Sequence, residues 1–187
     1  MAGENMNYKV AVCDDSDTDR QYFAGLAAQW AANTGKRVQT ALFSSAETFL
    51  FHYAEENDYD ILLLDIEMGA MDGVTMAKKL RQDNDTIQIV FITGYSDYIS
   101  EGYEVDALHY LMKPVKPEKL FSVLDRAAEK LSKNEKVLNL ELDGALLRLP
   151  VHQIRYADVR GNYVTIHAKE HYTVKKTLSD LLQGLDD

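Results

Sequence analysis

The stretch Asp-Ile-Leu-Leu-Leu-Asp at residues 60–65 decides the fold class of this chain. Its four central residues are all apolar, so a strand built from them is buried on both faces, as in a parallel sheet. Four further short runs of this kind lie at Tyr8–Cys13, Arg37–Phe43, Ile87–Thr93 and Ala107–Met112. We therefore predict a sheet of five parallel strands.

Longer amphipathic stretches separate these strands and are predicted to be helices. They lie at about Asp17–Asn33, Ser45–Asn57, Gly73–Gln82, Asp97–Tyr103 and Pro117–Lys133. Ser44 or Ser45 ahead of Glu47 is a capping pattern, and Pro117 suits a first helical turn. Five strand-helix units connected by right-handed crossovers form a doubly wound α/β sheet of the flavodoxin-like kind, whose ligands bind beyond the carboxyl ends of the strands.

The pattern changes after Lys130. Residues 131–136 are polar and charged, which predicts a linker. Beyond them apolar and polar residues alternate, predicting two hairpins and a short amphipathic helix. The first hairpin pairs Val137–Leu142 with Ala145–Leu149 through a primed turn at 143–144, and the second pairs Ile154–Val159 with Tyr163–Ala168. The helix covers Thr177–Leu185. The predicted organisation is an N-terminal extension (1–6), a first domain (7–130), the linker (131–136) and a small β-rich part (137–187).

The charge of the chain is unevenly distributed. The formal net charge is -10, yet residues 133–187 hold eight basic and eight acidic side chains, so the whole excess precedes them. Such an acidic surface would repel phosphates, which argues against non-specific nucleic-acid binding by the first part. A single cysteine, Cys13, excludes an internal disulfide framework and fits a reducing compartment. No apolar stretch reaches the roughly 18 residues of a membrane helix, so we expect a cytoplasmic protein without membrane contact.

Polar side chains gather at the carboxyl ends of the predicted strands. Asp14 and Asp15 follow the first strand, Asp65 ends the third, Thr93 ends the fourth and Lys113 follows the fifth. Because the carboxyl ends of parallel strands meet at one edge of a doubly wound sheet, these residues should share a single cleft.

Three carboxylates in one cleft repel one another unless a cation lies between them. Mg²⁺ prefers carboxylate oxygens and binds together with phosphate oxygens, so this set of ligands without histidine or thiolate indicates Mg²⁺. Asp65 could then act as a nucleophile toward a phosphoryl donor, and the Lys113 ammonium would stabilise the transferred oxygens. Lys113 precedes a proline, so its peptide bond could be cis, although the sequence does not determine the isomer.

Four motifs in the first part resemble the response-regulator receiver family over about residues 7–130. They are Cys-Asp-Asp-Ser (13–16), Leu-Leu-Leu-Asp-Ile-Glu-Met (62–68) with Met71-Asp72-Gly73, Phe-Ile-Thr-Gly (91–94) and Tyr-Leu-Met-Lys-Pro (110–114). The resemblance implies a receiver that is not a conventional enzyme and that catalyses its own phosphotransfer and dephosphorylation. The resemblance also implies that a sensor histidine kinase donates the phosphoryl group. The roles implied are Asp65 as phosphoacceptor, Asp14, Asp15 and the Glu67 carbonyl as metal ligands, and Thr93, Lys113 and Tyr110 as switch residues.

The tail resembles the opening half of a LytTR DNA-binding domain, on Ile154–Ile166 and Lys175–Leu181. The resemblance implies that a loop approaches a DNA groove, with Arg160, Asn162 and Tyr163 as possible contacts. The family continues with further strands beyond the point where this chain stops at Asp187. We therefore expect weak or absent DNA affinity for the chain as given, whether the domain is truncated or serves another use.

Together these observations predict a two-component response regulator that controls transcription after phosphorylation. In the switch hypothesis Thr93 moves toward the phosphoryl group, Tyr110 fills the vacated space, and the face of the fourth helix, fifth strand and fifth helix repacks and could form a homodimer. Two alternatives stay open. One is a receiver that acts as a signalling adaptor without DNA binding. The other is a Mg²⁺-dependent phosphatase or phosphotransferase, disfavoured because the sequence has no inserted cap segment between the predicted strands.

Overall fold

The chain divides into two compact units, Met1–Ala128 and Glu129–Asp187. The structure is a computed structural model that describes residues 7–94, 103–135, 137–142, 145–151, 154–168 and 170–183. Within the described residues, no helix combines the length and the apolar character needed to cross a lipid bilayer.

The first unit is built on a five-stranded parallel sheet, which confirms the predicted fold class. Its strands are β1 (Asn7–Cys13), β2 (Arg37–Phe43), β3 (Ile61–Leu64), β4 (Gln88–Thr93) and β5 (His109–Met112). Their order is β2-β1-β3-β4-β5, with every neighbouring pair parallel. Every residue of β3 and β4 is buried, as their apolar sequences require. The carboxyl ends of β1, β3, β4 and β5 therefore lie side by side.

Helices connect and cover these strands. They are α1 (Asp17–Thr34), α2 (Ala46–Tyr53), α3 (Gly73–Asp83) and α4 (Pro117–Glu135), and residues Tyr103–Val105 form a 3-10 turn. Of the predicted fourth helix, residues 97–102 lie outside the described residues, and Tyr103 begins the 3-10 turn. Trp30 on α1 donates a 2.9 Å hydrogen bond from Nε1 to Oδ1 of Asp125 on α4.

The boundaries of α2 differ from the prediction. α2 begins with a capping box in which Ser45 exchanges hydrogen bonds with Thr48 rather than with Glu47, and it ends at Tyr53 instead of Asn57. It stops there because Tyr59 is buried, with its ring 5.8 Å from that of Phe49, and the chain must turn back to place it. The ring of Phe49 is fully buried and contacts the rings of Phe43, Tyr53 and Tyr59, so it lies at the centre of this aromatic group.

The predicted linker is largely helical. α4 continues through Glu135, so residues 131–135 extend the helix instead of forming an irregular segment. The physical reason is that Leu131-Ser-Lys-Asn-Glu is polar but contains no glycine or proline, and most of these residues are tolerated or favoured in helices. Polarity alone was therefore a poor indicator of a linker here.

The second unit is β-rich. β6 (Val137–Leu142) pairs antiparallel with β7 (Ala145–Pro150), and the turn predicted at 143–144 lies outside the described residues. β8 (Tyr156–Arg160), β9 (Tyr163–His167) and β10 (His171–Val174) form an antiparallel sheet in the order β10-β9-β8, followed by the short helix α5 (Leu178–Gln183). The two predicted hairpins are present, whereas β10 was not predicted. Alternate residues of β6 and β9 are buried in a core of this unit's own.

Candidate functional site

The strand ends of the first unit bring four of the predicted site residues to one edge of the sheet. Asp14 follows β1, Asp65 follows β3, Thr93 is the last residue of β4 and Lys113 follows β5. The Asp14 and Asp65 residues are only 2% and 7% exposed, and Thr93 is fully buried. Buried carboxylates need strong partners because isolated charges are costly to remove from water.

Lys113 supplies that partner. Its Nζ donates hydrogen bonds of 2.8 Å to Asp14 Oδ2, 2.7 Å to Asp19 Oδ2 and 2.8 Å to Asp65 Oδ2. A lysine ammonium has three donors, so all three are used. The peptide bond between Lys113 and Pro114 is cis.

The backbone fixes the Asp65 carboxylate from its other side. Asp65 Oδ1 accepts hydrogen bonds from the backbone N–H groups of Ile66 at 2.7 Å and Glu67 at 3.3 Å. Gly73 at the start of α3 lies against this turn, and its N–H donates to the Ile66 carbonyl at 2.8 Å. A Cβ at position 73 would lie 2.1 Å from the Asp65 carbonyl oxygen, so only glycine permits this approach.

The Asp14 carboxylate is held in a comparable way. Its Oδ1 accepts a 2.8 Å hydrogen bond from the Ser16 N–H, and its backbone oxygen accepts one of 2.6 Å from the Arg20 guanidinium. Burial, together with the nearby charge of Asp65, raises the pKa of the Asp14 carboxyl despite its bonds to Lys113 and Ser16. Burial alone would lower the pKa of Lys113, but its hydrogen bonds to the three aspartates outweigh burial and raise it. The site therefore holds an excess of negative charge around one ammonium.

The carboxylate cluster fits a hard dication. Carboxylate oxygens of Asp14, Asp15 and Asp65 all lie within 4.8 Å of one another, and Asp15 is exposed to solvent. This all-oxygen set suits Mg²⁺, which keeps several of its own waters and binds protein through a few carboxylates.

The other predicted switch residues flank this cluster. The Lys113 N–H donates a 2.9 Å hydrogen bond to the Thr93 carbonyl, which ties the ends of β4 and β5 together. Tyr110 lies on β5, is half-buried, and packs against Phe91 with ring centroids 6.3 Å apart. The Glu67 side chain is exposed.

The possible DNA contacts belong to the second unit. Arg160, Asn162 and Tyr163 lie at the turn between β8 and β9 and are exposed. Gly161 within the turn has a φ of 61°, a left-handed conformation that favours glycine.

Sequence reasoning missed Asp19. This residue lies in the first turn of α1, behind the Ser16 N-cap, and reaches Lys113 across the cleft. The only signal in the sequence was its position in the first turn of the predicted helix, shortly after Asp14 and Asp15, which does not predict a contact with the residue after β5.

Cys13, the chain's single cysteine, is fully buried next to the site. Its Sγ lies 3.7 Å from Sδ of Met68, so its surroundings are apolar.

A family model described as a response regulator receiver domain matches residues 10–125. The chain belongs to the response-regulator receiver family. Receivers of this family take part in two-component signalling and are phosphorylated by sensor histidine kinases, and they bind Mg²⁺ through an acidic pocket. The matched residues include Asp14, Asp15, Asp65, Thr93 and Lys113.

Two curated relatives show how far the similarity extends. The sensory transduction protein LytT of Oceanobacillus iheyensis is 31% identical over 147 residues, covering 73% of this chain and 59% of LytT. The protein MrkE of Klebsiella pneumoniae is 24% identical over 183 residues, covering 90% of this chain and 65% of MrkE. The MrkE match reaches past the receiver, and this chain spans less than two thirds of either relative's length.

The fold similarity is concentrated in the receiver. The crystal structure of the response regulatory domain of MrkE from Klebsiella pneumoniae has a TM-score of 0.59 and 25% identity, covering 67% of this chain and 98% of that domain. The sheet and helices described above are thus those of a receiver, followed by additional antiparallel strands.

Proposed function

We propose that this receiver is phosphorylated on Asp65 by a sensor histidine kinase in a Mg²⁺-dependent reaction. One observation carries the proposal: Lys113 Nζ lies 2.8 Å from Asp65 Oδ2, beside two further aspartates that can hold a dication with Asp65. Asp65 is thereby both oriented as a nucleophile and adjacent to a fixed positive charge.

In the proposed reaction a lone pair of an Asp65 carboxylate oxygen attacks the phosphorus of a phosphohistidine. A P–O bond forms, the P–N bond breaks, and the imidazole leaves with the electron pair. Backbone N–H groups of Ile66 and Glu67 hold the Asp65 carboxylate in place. Lys113 donates hydrogen bonds to the transferred oxygens, where the negative charge accumulates. Mg²⁺, held by Asp14, Asp15, Asp65 and the Glu67 carbonyl, would neutralise the charge of the carboxylates and the phosphoryl oxygens.

We further propose that phosphorylation is read out through β5. The Thr93 hydroxyl turns toward the phosphoryl group, and Tyr110 occupies the space that it leaves. Their neighbouring strands support this coupling, since β4 and β5 are paired along Val90–Thr93. The step is a shift between two packings that needs only a few kcal/mol of bias. The face containing β5 and α4 then becomes available for a homodimer.

The first test is phosphoryl transfer from a small acyl phosphate in the presence of Mg²⁺. Mass spectrometry should show the gain of one phosphoryl group by the parent chain, and Asp65→Asn should abolish it. Asp60→Asn is the matched control, because it neutralises a partly buried carboxylate at the opposite end of β3. Equal uptake by Asp65→Asn and the parent chain would refute the assignment. The rate at which the purified phosphorylated protein loses its phosphoryl group, with no other protein present, would measure self-catalysed dephosphorylation.

For the second unit we propose a LytTR-type DNA-binding role. Its support is the similarity to LytT, the antiparallel strands, and the exposed β8–β9 turn with Arg160 and Asn162. The balanced charge of residues 133–187 limits the electrostatic part of the affinity. We expect weak binding that falls further as salt increases.

Selection from a pool of random-sequence DNA duplexes would test this role. Arg160→Ala should weaken the binding of selected duplexes, whereas Arg155→Ala removes the same charge at the other end of β8 and should have little effect. Equal effects of the two substitutions would contradict a role for the turn. Absence of any binding would favour the adaptor alternative. We place the protein in the cytoplasm, where kinase, receiver and DNA would meet.

A further inference from the structure

We propose that Asp19 is a positioning residue that keeps Lys113 at the site when a dication is bound by Asp14 and Asp65 and a phosphoryl group is attached to Asp65. The inference rests on the proposed phosphorylation of Asp65. Asp19 would act through Lys113 and not through contact with the reacting atoms.

The contact itself is well defined. Asp19 Oδ2 accepts a 2.7 Å hydrogen bond from Lys113 Nζ, while its backbone N–H donates to the Ser16 Oγ at 3.3 Å. The second bond belongs to the N-cap of α1, so the helix fixes the backbone from which the Asp19 side chain extends. The Asp19 and Lys113 side chains are 34% and 22% exposed, which leaves the pair only partly screened by water.

Asp19 differs from the other two partners of Lys113. Asp14 and Asp65 belong to the carboxylate cluster that can hold a dication, and Asp19 is not a member of that cluster. A bound dication would therefore draw on the same two carboxylates as the Lys113 ammonium, and the two cations would repel each other. Asp19 gives Lys113 an anionic partner that the dication does not use.

Removing the charge of Asp19 should thus have two effects. Lys113 would depend on Asp14 and Asp65 alone, so it would compete more strongly with the dication for their oxygens. After the dication binds, Lys113 would lack a partner that holds it near the phosphoryl oxygens. Both effects require Lys113, which makes the proposal testable by a double-mutant cycle.

The experiment measures Mg²⁺ binding to the full chain by calorimetry. Asp19→Asn should weaken Mg²⁺ affinity by about fivefold, the size of a coupling between charged groups in direct contact. In the Lys113→Met background the same substitution should change Mg²⁺ affinity by less than about twofold. Asp17→Asn is the control, because Asp17 lies in the same turn, pairs with Arg20 and is 77% exposed at its side chain. It should have an effect of less than about twofold in both backgrounds.

The outcomes separate this inference from the proposed function. An Asp19→Asn effect that persists unchanged without Lys113, or that only equals the effect of Asp17→Asn, would overturn the inference while leaving phosphorylation of Asp65 intact. A parent chain that bound no Mg²⁺ would overturn both. Partial recovery of Mg²⁺ affinity in Asp19→Glu, which restores the charge on a longer side chain, would support the inference. No recovery would count against it, because a positioning charge should tolerate that change in part.

Discussion

Replacing Gly73 with alanine perturbs the site without touching a charged group. A Cβ at this position would lie 2.1 Å from the Asp65 carbonyl oxygen and 3.0 Å from both the Asp65 carbonyl carbon and the Ile66 Cα. Ordinary van der Waals contacts of Cβ atoms begin near 3.4 Å. Because every atom in the way belongs to the backbone, the start of α3 and the turn after β3 must separate by about 1 Å.

Two opposing free-energy terms determine the stability of this variant. Alanine in a helix is more favourable than glycine by about 0.5–1 kcal/mol. Overpacking against a backbone that cannot rearrange costs about 1–3 kcal/mol. We therefore expect Gly73→Ala to lower the free energy of unfolding by up to about 2.5 kcal/mol. A displacement of about 1 Å at Asp65 should also slow phosphoryl transfer by about 100-fold.

Gly25→Ala is the matched control. Gly25 lies exposed in the middle of α1, and a Cβ there meets nothing within 4 Å. The same substitution should therefore raise the free energy of unfolding by about 0.5–1 kcal/mol and leave phosphorylation unchanged. Urea unfolding and the initial rate of phosphoryl uptake measure both effects. If Gly73→Ala were as stable as Gly25→Ala and phosphorylated at the parent rate, the inferred close approach would be wrong.

Three further predictions concern stability. Phe49→Ala should lower the free energy of unfolding by about 3–5 kcal/mol in urea titrations, because it leaves a cavity at the centre of the buried aromatic group. A loss below about 1 kcal/mol would contradict that packing. Asp125→Ala should lower the free energy of unfolding by about 1–3 kcal/mol, because the Trp30 N–H loses its acceptor. Asp125→Asn keeps an acceptor at this position and should retain most of the stability. The fluorescence of the single tryptophan would follow the unfolding of both variants. Burial alone would raise the pKa of the Asp72 carboxyl, but hydrogen bonds from Thr75 outweigh it and lower that pKa. Asp72→Ala should therefore lower the free energy of unfolding by about 1 kcal/mol at neutral pH. This loss should shrink as the pH falls below about 4 toward the lowered pKa of the folded state. A loss that does not depend on pH would show that the charge of Asp72 contributes nothing.

Much of the receiver could be predicted because its signals are local. Ile61–Leu64 is apolar throughout, so burial on both faces and a parallel sheet followed directly. The convergence of Asp14, Asp65 and Lys113 followed from the topology, since each lies just beyond a strand of that sheet. A rule about strand ends needs no knowledge of side-chain contacts, which is why it succeeded for these three residues.

The remaining features depend on contacts between distant segments. Asp19 reaches Lys113 only because α1 and the end of β5 lie side by side, a fact absent from the helix sequence. His171–Val174 was missed because four residues give too short an alternation, and its pairing with β9 defines it as a strand. The early end of α2 likewise reflects the burial of Tyr59, which overrides local helix propensity.

The burial of Cys13 has a practical consequence for spectroscopy. It is the chain's only cysteine, it is fully buried, and burial raises the pKa of its thiol to about 12, so little thiolate forms near neutral pH. Maleimide dyes or nitroxide spin labels should therefore react first with a cysteine engineered on the surface. Distances between labelled positions could then be followed in the folded protein with its native thiol left in place.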